Sequence, residues 1–151
     1  EDSLTLLTYW PIGNHNEPNT HLFSSFLRHT IPGLQIAYPV SDFTDSSMKV
    51  ILINEDTIYS TNQYGITEPK VGIELNPTDV DLIFVPLLIC DKQGFRVGYG
   101  KGFYDKFLAQ CRSDAITLGF NYFSPIDKIQ DTDEYDIPLN YCITPEHIYE
   151  F

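Results

Sequence analysis

The first part of the chain carries two hydrophobic patterns of different period. Leu4–Trp10 is a short apolar and β-prone segment, and this pattern predicts a strand. Asn19 or Thr20 can cap a following helix, which Pro32 and Gly33 would end. The apolar residues of that helix recur at helical spacing, at Leu22, Phe23, Phe26, Leu27 and Ile31. We therefore predict a strand followed by an amphipathic helix.

Further short apolar segments predict the rest of a sheet. The predicted strands are Gln35–Val40, Lys49–Ile53, Val80–Pro86, Ala115–Phe120 and Tyr141–Thr144, with a short strand and a loop in Asp56–Pro69. The continuous apolarity from Leu82 to Val85 is typical of a strand covered on both faces. A second helix is indicated by the spacing of Phe103, Phe107, Leu108 and Cys111. The alternation predicts one α/β domain over residues 1–151, a Rossmann-like, three-layer fold with a mainly parallel, mixed sheet and helices on both faces.

The segment from Gly94 to Asp105 is rich in glycine and carries basic residues. Glycines at every second position from 98 to 102 let backbone N–H groups approach a ligand closely, and the segment leads into a predicted helix. Arg96 could fork onto phosphate oxygens, Lys101 supplies a point charge, and Asp105 could hold magnesium beside phosphates. The spacing is neither that of a Walker A motif nor that of the dinucleotide fingerprint. A tight connection with solvated basic residues is the alternative explanation.

The charged residues of the chain limit the kinds of ligand that it can bind. The 151 residues include 9 Lys and Arg against 21 Asp and Glu, a formal net charge of −12, which disfavours nucleic acid and anionic membranes as partners. Five of the nine basic residues nevertheless fall between positions 92 and 112, in and around the glycine-rich segment: Lys92, Arg96, Lys101, Lys106 and Arg112. This clustering predicts one local anion site.

The remaining features favour a cytoplasmic location. Three widely spaced cysteines form no disulfide framework and suit a reducing compartment, and no secretory signal or membrane-spanning segment is recognisable. We expect a cytoplasmic protein that is a monomer or a weak dimer. The four histidines show no metal-ligand spacing and are interpreted as solvated or capping side chains.

Residues 96–105, Arg-Val-Gly-Tyr-Gly-Lys-Gly-Phe-Tyr-Asp, resemble a signature that reads approximately R-x-G-x-G-x-G-[YF]-Y-D. This signature belongs to the 5-formyltetrahydrofolate cyclo-ligase (methenyltetrahydrofolate synthetase) family. Further segments are similar to that family along most of the chain: Tyr9–Pro11 with Glu17–Thr20, Gly65–Pro69, Asp81–Pro86 and Tyr135–Pro138.

The resemblance implies an activity and a set of site residues. The family uses ATP and Mg²⁺ to convert 5-formyltetrahydrofolate into 5,10-methenyltetrahydrofolate, ADP and phosphate. It implies ATP binding by Arg96, Val97, Gly98, Tyr99, Gly100, Lys101, Gly102, Phe103 and Tyr104. It implies folate binding by Trp10, Glu17, Tyr99, Gly100, Lys101, Gly102 and Phe103. It also implies catalytic roles for Tyr104, Lys101 and Arg96, and metal binding by Asp105 and Asp136.

Some positions depart from the family pattern. Phe103 stands where tyrosine is common, and Tyr99 occupies a variable position that can be basic. Family members begin with a basic helical segment that contributes to ATP binding, whereas Arg28 is the only Lys or Arg before Lys49. We therefore expect that this segment is missing from the chain. A non-catalytic nucleotide- or folate-binding module is the alternative function, and a sugar-phosphate or acyl-carrier enzyme with a coincidental glycine turn is a third.

Overall fold

An eight-stranded mixed sheet forms the centre of the computed structural model, which describes residues 3–11, 17–98, 102–132 and 136–151. The elements in these ranges are β1 (Thr5–Leu7), α1 (Thr20–Thr30), β2 (Gln35–Asp42), β3 (Ser47–Leu52), β4 (Tyr59–Thr61), β5 (Thr67–Pro69), β6 (Ile73–Leu75), a 3₁₀ helix (Pro77–Asp79), β7 (Leu82–Phe84), β8 (Ile89–Cys90), β9 (Arg96–Val97), α2 (Phe103–Leu108), β10 (Ile116–Phe120), β11 (Tyr141–Ile143) and β12 (Ile148–Glu150).

The strand order of the large sheet is β12-β11-β10-β7-β1-β2-β3-β6. Pairs within β11-β10-β7-β1-β2 are parallel, whereas β12, β3 and β6 pair antiparallel to their neighbours. The predicted α/β class with a mainly parallel, mixed sheet is thus confirmed. The chain leaves β1 toward β2 on one side and later returns to β7 on the other. Such a reversal of strand order opens a crevice at the carboxyl ends of the two strands, where α/β proteins bind ligands.

Successive residues of β1 point into two different hydrophobic clusters. Leu7 belongs to a cluster that includes Phe107 and Leu108 of α2. Leu6 belongs to a second cluster, against which Leu27 of α1 packs. Because neighbouring residues of a strand face opposite sides of a sheet, the two helices cover opposite surfaces of β1. They are eleven and six residues long, so complete helical layers on both faces remain a prediction.

The start and end of α1 agree with the sequence prediction. The Asn19 side chain accepts a hydrogen bond from the backbone N–H of His21 at 3.1 Å, which caps the helix. The helix ends at Thr30, two residues before Pro32. No described helix is both long enough and apolar enough to cross a membrane.

The side of α1 that faces the sheet coincides only in part with the one that its apolar spacing favours, since Leu27 packs against the second cluster and Phe23 stacks on Phe120. Thr20 and Ser24 are buried, whereas Leu22 and Phe26 are 68% and 66% exposed. The Thr20 hydroxyl donates to the Tyr9 carbonyl at 2.6 Å, and the Ser24 hydroxyl donates to its own helix at the Thr20 carbonyl, at 2.9 Å. These short side chains let the helix approach the end of β1 closely.

Several strands were not predicted because they are short and amphipathic or polar. They are β6, β8, β9 and β12, together with the pairing of β4 and β5 into a hairpin. In that hairpin the Asn62 carboxamide accepts hydrogen bonds from the backbone N–H groups of Tyr64 and Ile66, and Gly65 has a φ of 78°. The hydrogen bonds and backbone conformation of the turn, rather than the spacing of apolar residues, therefore define this hairpin.

Candidate functional site

The segments that carry the predicted site residues meet at the carboxyl ends of β1 and β7. Trp10 and Glu17 lie in the connection from β1 to α1. The glycine-rich segment lies between β9 and α2, within the long connection from β7 to β10. Asp136 precedes β11, which runs parallel to β10. The Trp10–Glu17 connection and the glycine-rich segment thus lie at the same edge of the sheet, and hydrogen bonds of Ile137 with Arg96 and Asp105 bring the backbone beside Asp136 to this region.

A buried carboxylate anchors the hairpin from which the glycine-rich segment emerges. Asp91 is fully buried, and its Oδ1 accepts hydrogen bonds from the backbone N–H groups of Gln93 at 2.9 Å and Phe95 at 3.0 Å. Its Oδ2 accepts the N–H of Ile129 at 3.1 Å. Sequence analysis assigned no role to Asp91, although an aspartate three residues before a glycine is a recognisable turn signal.

Gly94 completes this anchor. It has a φ of 90°, and a Cβ at this position would lie 2.7 Å from the Leu139 carbonyl oxygen. The backbone N–H of Leu139 donates to the Gly94 carbonyl at 2.8 Å. The hairpin turn is therefore fastened directly to the segment that follows Asp136.

Arg96 and Asp105 form an ion pair across the two ends of the glycine-rich segment. Arg96 Nη2 lies 3.0 Å from Asp105 Oδ1, and Arg96 Nη1 donates to the Ile137 carbonyl at 2.8 Å. The same Asp105 oxygen accepts the N–H of Ile137 at 3.1 Å. The Arg96 side chain is only 6% exposed. Its guanidinium is thus engaged with protein groups, and its direct contact with phosphate remains a prediction.

These contacts bring the two predicted metal ligands into one region. Asp136 directly precedes Ile137, and the Ile137 backbone N–H is bonded to Asp105. Within the described ranges, no cluster of three or more His, Cys, Asp or Glu side chains could hold a metal by itself. Two carboxylates nevertheless fit Mg²⁺ that arrives with a nucleotide, because such an ion takes most of its ligands from phosphates and water.

The middle of the glycine-rich segment, with Tyr99, Gly100 and Lys101, lies outside the described residues. On either side of it, Gly98 and Gly102 differ in backbone conformation. Gly102 adopts a left-handed conformation with a φ of 72° and caps α2, whereas Gly98 does not lie in the left-handed region. Val97, beside Gly98, is 39% exposed.

Tyr104 connects the glycine-rich segment with the Glu17 segment. Burial raises the pKa of the Tyr104 phenol above its usual range, the Glu17 carboxylate raises it further, and the Arg96 guanidinium lowers it in part. Electrostatic influence of this kind requires that the three groups lie near one another. The structure therefore brings together three residues that the sequence predicted for the same site.

Phe103 lies in a different environment from Tyr104. Its ring packs edge-on against Phe43 at a centroid distance of 5.0 Å, and Phe43 stacks on Tyr64 at 4.0 Å. This row of rings joins the start of α2 to the turn after β2. A role for Phe103 in contacting ATP or folate remains a prediction.

Trp10 belongs to an aromatic cluster beside the Glu17 segment. Its ring lies 4.6 Å from that of His21, 5.1 Å from Tyr59 and 5.9 Å from Tyr38. The Tyr38 hydroxyl lies 3.4 Å from His21 Nδ1. Burial and the Tyr59 phenol raise the pKa of Tyr38 to about 12, and burial lowers the pKa of His21. At neutral pH the cluster is uncharged, and it offers an aromatic surface for a planar ligand.

Most of the clustered cations have protein partners. Lys92 Nζ lies 2.7 Å from Asp127, Lys106 Nζ donates to the Asp45 carbonyl at 2.7 Å, and Arg112 pairs with Asp81 at 2.7 Å. Together with Arg96, these are four of the five basic residues that favoured an anion site. Lys101 is the fifth and lies outside the described residues, so the charge of the predicted site depends mainly on it.

Cys90 and Cys111 carry protonated thiols. A hydrogen bond with Cys142, followed by burial, raises the pKa of Cys90, and burial raises the pKa of Cys111 to about 11. Thiolates, not thiols, act as nucleophiles. These two cysteines therefore act as small apolar residues.

Comparisons with known proteins agree with this arrangement. The sequence model of the 5-formyltetrahydrofolate cyclo-ligase family matches residues 5–145. The 5-formyltetrahydrofolate cyclo-ligase of Mycoplasma genitalium is 36% identical over 125 residues, which cover 76% of this chain and 74% of that protein. The enzyme of the same name from Haemophilus influenzae is 34% identical over 100 residues, 64% of this chain and 54% of that protein. The matched part thus spans about half the length of the latter relative.

Solved structures show the same fold. The NMR structure of Aquifex aeolicus 5,10-methenyltetrahydrofolate synthetase superimposes with a TM-score of 0.77 at 27% identity, over 98% of this chain and 72% of that one. The 5,10-methenyltetrahydrofolate synthetase of Mycoplasma pneumoniae gives a TM-score of 0.65 at 26% identity, over 92% and 71%. The family match spans both the Glu17 segment and the glycine-rich segment. The chain therefore belongs to the 5-formyltetrahydrofolate cyclo-ligase family.

Proposed function

We propose that the protein converts 5-formyltetrahydrofolate into 5,10-methenyltetrahydrofolate at the expense of ATP. The observation that carries the proposal is the meeting of Glu17 with Tyr104 and Arg96 at the carboxyl end of the sheet. Glu17 lies on the segment assigned to folate, and the other two flank the turn assigned to ATP. An enzyme that phosphorylates a folate needs these two substrates side by side.

The glycine-rich segment is the proposed ATP site. Gly98, Gly100 and Gly102, with Val97, Tyr99 and Phe103, would place backbone N–H groups around the phosphates, and Lys101 would supply positive charge. Phosphoryl transfer depends mostly on positioning and on neutralising charge, so a backbone cradle with one lysine suits the reaction. The anchors at Asp91 and Gly94 support this function because they fix where the segment begins.

Glu17 and Trp10 are the proposed folate contacts. A carboxylate can accept paired N–H donors from the pterin ring, and an indole ring can stack on a planar ligand. The aromatic cluster around Trp10 is uncharged at neutral pH, which suits a flat heterocycle. The remaining proposed contacts come from Tyr99 to Phe103 in the glycine-rich segment.

The proposed chemistry has two steps. The oxygen of the N5-formyl group attacks the γ-phosphorus of ATP, and the bond from that phosphorus to the bridging oxygen breaks to release ADP. N10 then attacks the activated formyl carbon and loses its proton, while the carbon–oxygen bond breaks and phosphate leaves. Tyr104, held protonated, would donate a hydrogen bond to charge that develops on oxygen.

Asp105 and Asp136 would hold Mg²⁺ in this site. The backbone N–H of Ile137, the residue after Asp136, donates to Asp105, which supports this assignment. The ion, when bound, would neutralise negative charge on the ATP phosphates. The Asp105 carboxylate and the backbone beside Asp136 are both hydrogen-bonded to Arg96, which also supports this assignment.

The test is the absorbance of methenyltetrahydrofolate formed from 5-formyltetrahydrofolate, with and without Mg-ATP. We expect product only with Mg-ATP, and one ADP for each product. Asp105→Asn should abolish turnover, whereas Asp114→Asn should leave it unchanged, because Asp114 precedes the amino end of β10 at the opposite edge of the sheet. ATP binding without product would contradict the proposal and favour a non-catalytic module. Binding of phosphate esters without any response to ATP would favour a different enzyme class.

A further inference from the structure

The ion pair between Arg96 and Asp105 closes the glycine-rich segment at its base. Arg96 lies in β9, before Gly98, and Asp105 lies in α2, after Gly102, so the two residues enclose the alternating glycines of the segment. The 3.0 Å contact between Nη2 and Oδ1 therefore holds the two ends of the segment at a fixed separation. This ion pair, with Arg96 buried and Asp105 partly exposed, acts as a clamp on the turn between its members.

The same guanidinium also reaches a third part of the chain. Its Nη1 donates to the Ile137 carbonyl at 2.8 Å, and the Ile137 N–H donates to Asp105 Oδ1 at 3.1 Å. Arg96, Asp105 and the Ile137 backbone thus form a closed triangle of hydrogen bonds. Asp136, adjoining Ile137, is positioned by the same triangle.

This geometry differs from that of an arginine poised to bind phosphate. Both terminal nitrogens of Arg96 already donate to protein acceptors, and the side chain is only 6% exposed. The planar fork of arginine matches two acceptors at once, which a lysine ammonium does not. The arrangement uses that fork to join a carboxylate to a carbonyl.

We propose that Arg96 is a positioning residue, which holds the carboxylates of Asp105 and Asp136 in place for Mg²⁺ and does not itself bind phosphate. The inference rests on the proposed function, because it concerns the metal of that same site. Groups that orient metal ligands typically change metal affinity by about 10–100-fold when they are removed. Their loss does not remove a contact with the nucleotide itself.

The test is calorimetric binding of ATP, once with EDTA and once with excess Mg²⁺, to the wild type, Arg96→Met and Arg96→Lys. The ratio of the two affinities measures how much the metal assists binding. We expect Arg96→Met to lower this ratio by about tenfold or more and to leave metal-free ATP binding nearly unchanged. Arg96→Lys should retain the charge and still lose most of the effect. Arg112→Met, which removes a more exposed arginine paired with Asp81, should change neither affinity.

Each contrary result has a distinct meaning. Equal weakening of ATP binding with and without Mg²⁺ would identify Arg96 as a phosphate ligand and overturn the inference alone. An unchanged ratio in the variants would also overturn it. Absence of ATP binding by the wild type would refute the proposed function, and the inference with it.

A second measurement keeps the inference testable if Arg96→Met does not fold. In the Asp105→Asn background, Arg96→Lys should lower the metal ratio less than it does in the wild type, because one of the two carboxylates that Arg96 positions is already lost. A decrease as large as that in the wild type would show that the two residues act independently and would overturn the inference.

Discussion

The Glu17 carboxylate lies close enough to Tyr104 to raise the pKa of its phenol, although Glu17 precedes α1 and Tyr104 lies far along the sequence, in α2. Burial acts in the same direction, and Arg96 opposes both only in part. The phenol consequently keeps its proton above its ordinary pKa of 10.0 and remains a hydrogen-bond donor at neutral and mildly alkaline pH.

Tyr104→Phe removes this donor while retaining the ring. We expect kcat to fall by about 10²–10³-fold, in the range seen when one preorganised donor to a reacting oxygen is lost. The wild type should show no loss of kcat from tyrosine ionisation up to pH 10. Tyr141→Phe is the matched control, since Tyr141 begins β11 at the opposite edge of the sheet. Similar losses of kcat in both variants would exclude a specific role for Tyr104.

Gly102→Ala and Gly98→Ala should differ in stability. No described atom lies within 4 Å of a Cβ placed at either position, so steric crowding is not the difference. Gly102 has a φ of 72°, where an L-residue loses about 1–2 kcal/mol, whereas Gly98 lies outside that region. Urea unfolding should therefore show Gly102→Ala to be less stable by about 1–2 kcal/mol. An equal free energy of unfolding for the two variants would contradict this account.

Asp91→Asn should destabilise the protein although it is nearly isosteric. The substitution replaces one carboxylate oxygen by an NH₂ group, which then faces a backbone N–H that has lost its acceptor. An unsatisfied buried donor costs about 1–3 kcal/mol, and we expect a loss of that size in urea unfolding. Asp127→Asn breaks a surface ion pair with Lys92 and should cost less than about 1 kcal/mol. A smaller loss for Asp91→Asn than for Asp127→Asn would show that Asp91 is not an anchor.

The only tryptophan of the chain, Trp10, reports on His21. Burial lowers the pKa of His21 from 6.5, so most of the imidazole is neutral at pH 7 and its titration midpoint lies below pH 6.5. Because an imidazolium ion quenches indole emission, Trp10 fluorescence should decrease as the pH falls, with a midpoint below pH 6.5. The decrease should disappear in His21→Gln and persist in His147→Gln. A midpoint at or above pH 6.5 would contradict the lowered pKa.

The raised pKa of Tyr38 predicts that the protein loses stability at alkaline pH. Its folded-state pKa is raised to about 12, so the unfolded chain ionises first as the pH rises above 10. Stability that is fully present below pH 10 should therefore be lost progressively between pH 10 and 12. The decrease in Tm over this interval should be smaller in Tyr38→Phe. An equal decrease in the wild type and the variant would show that Tyr38 does not contribute.

The sequence was sufficient for elements whose hydrophobic pattern coincides with their packing. The continuous apolarity of Leu82 to Phe84 predicted β7, and Asn19 predicted the start of α1. The pattern was only partly correct for the orientation of α1, because Thr20 and Ser24 meet the sheet while Leu22 and Phe26 remain exposed. The spacing of apolar residues along a helix does not reveal hydroxyl groups that contact another element.

The sequence was a better guide to which residues belong to the site than to what each of them does there. The spacing of the glycine-rich segment identified Arg96 and Asp105 as functional candidates. It could not show that they pair with each other, because their contact depends on Ile137, which is distant in sequence. Likewise, Asp91 accepts local hydrogen bonds from Gln93 and Phe95, but its bond from Ile129 joins distant parts of the sequence and became visible only in the fold.

The position of β1 also has a consequence for how the chain acquires its structure. β1 pairs with β2, which is synthesised soon after it, and with β7, which appears only after β3 to β6. Local pairings form at a lower loop-closure cost than distant ones, so we expect amides of β2 and β3 to gain protection before those of β7 and β10 in pulse-labelled hydrogen exchange. The reverse order would contradict this expectation. Until β7 arrives, one edge of the strand that becomes the middle of the sheet is open, and the nascent chain is most prone to aggregate in that interval.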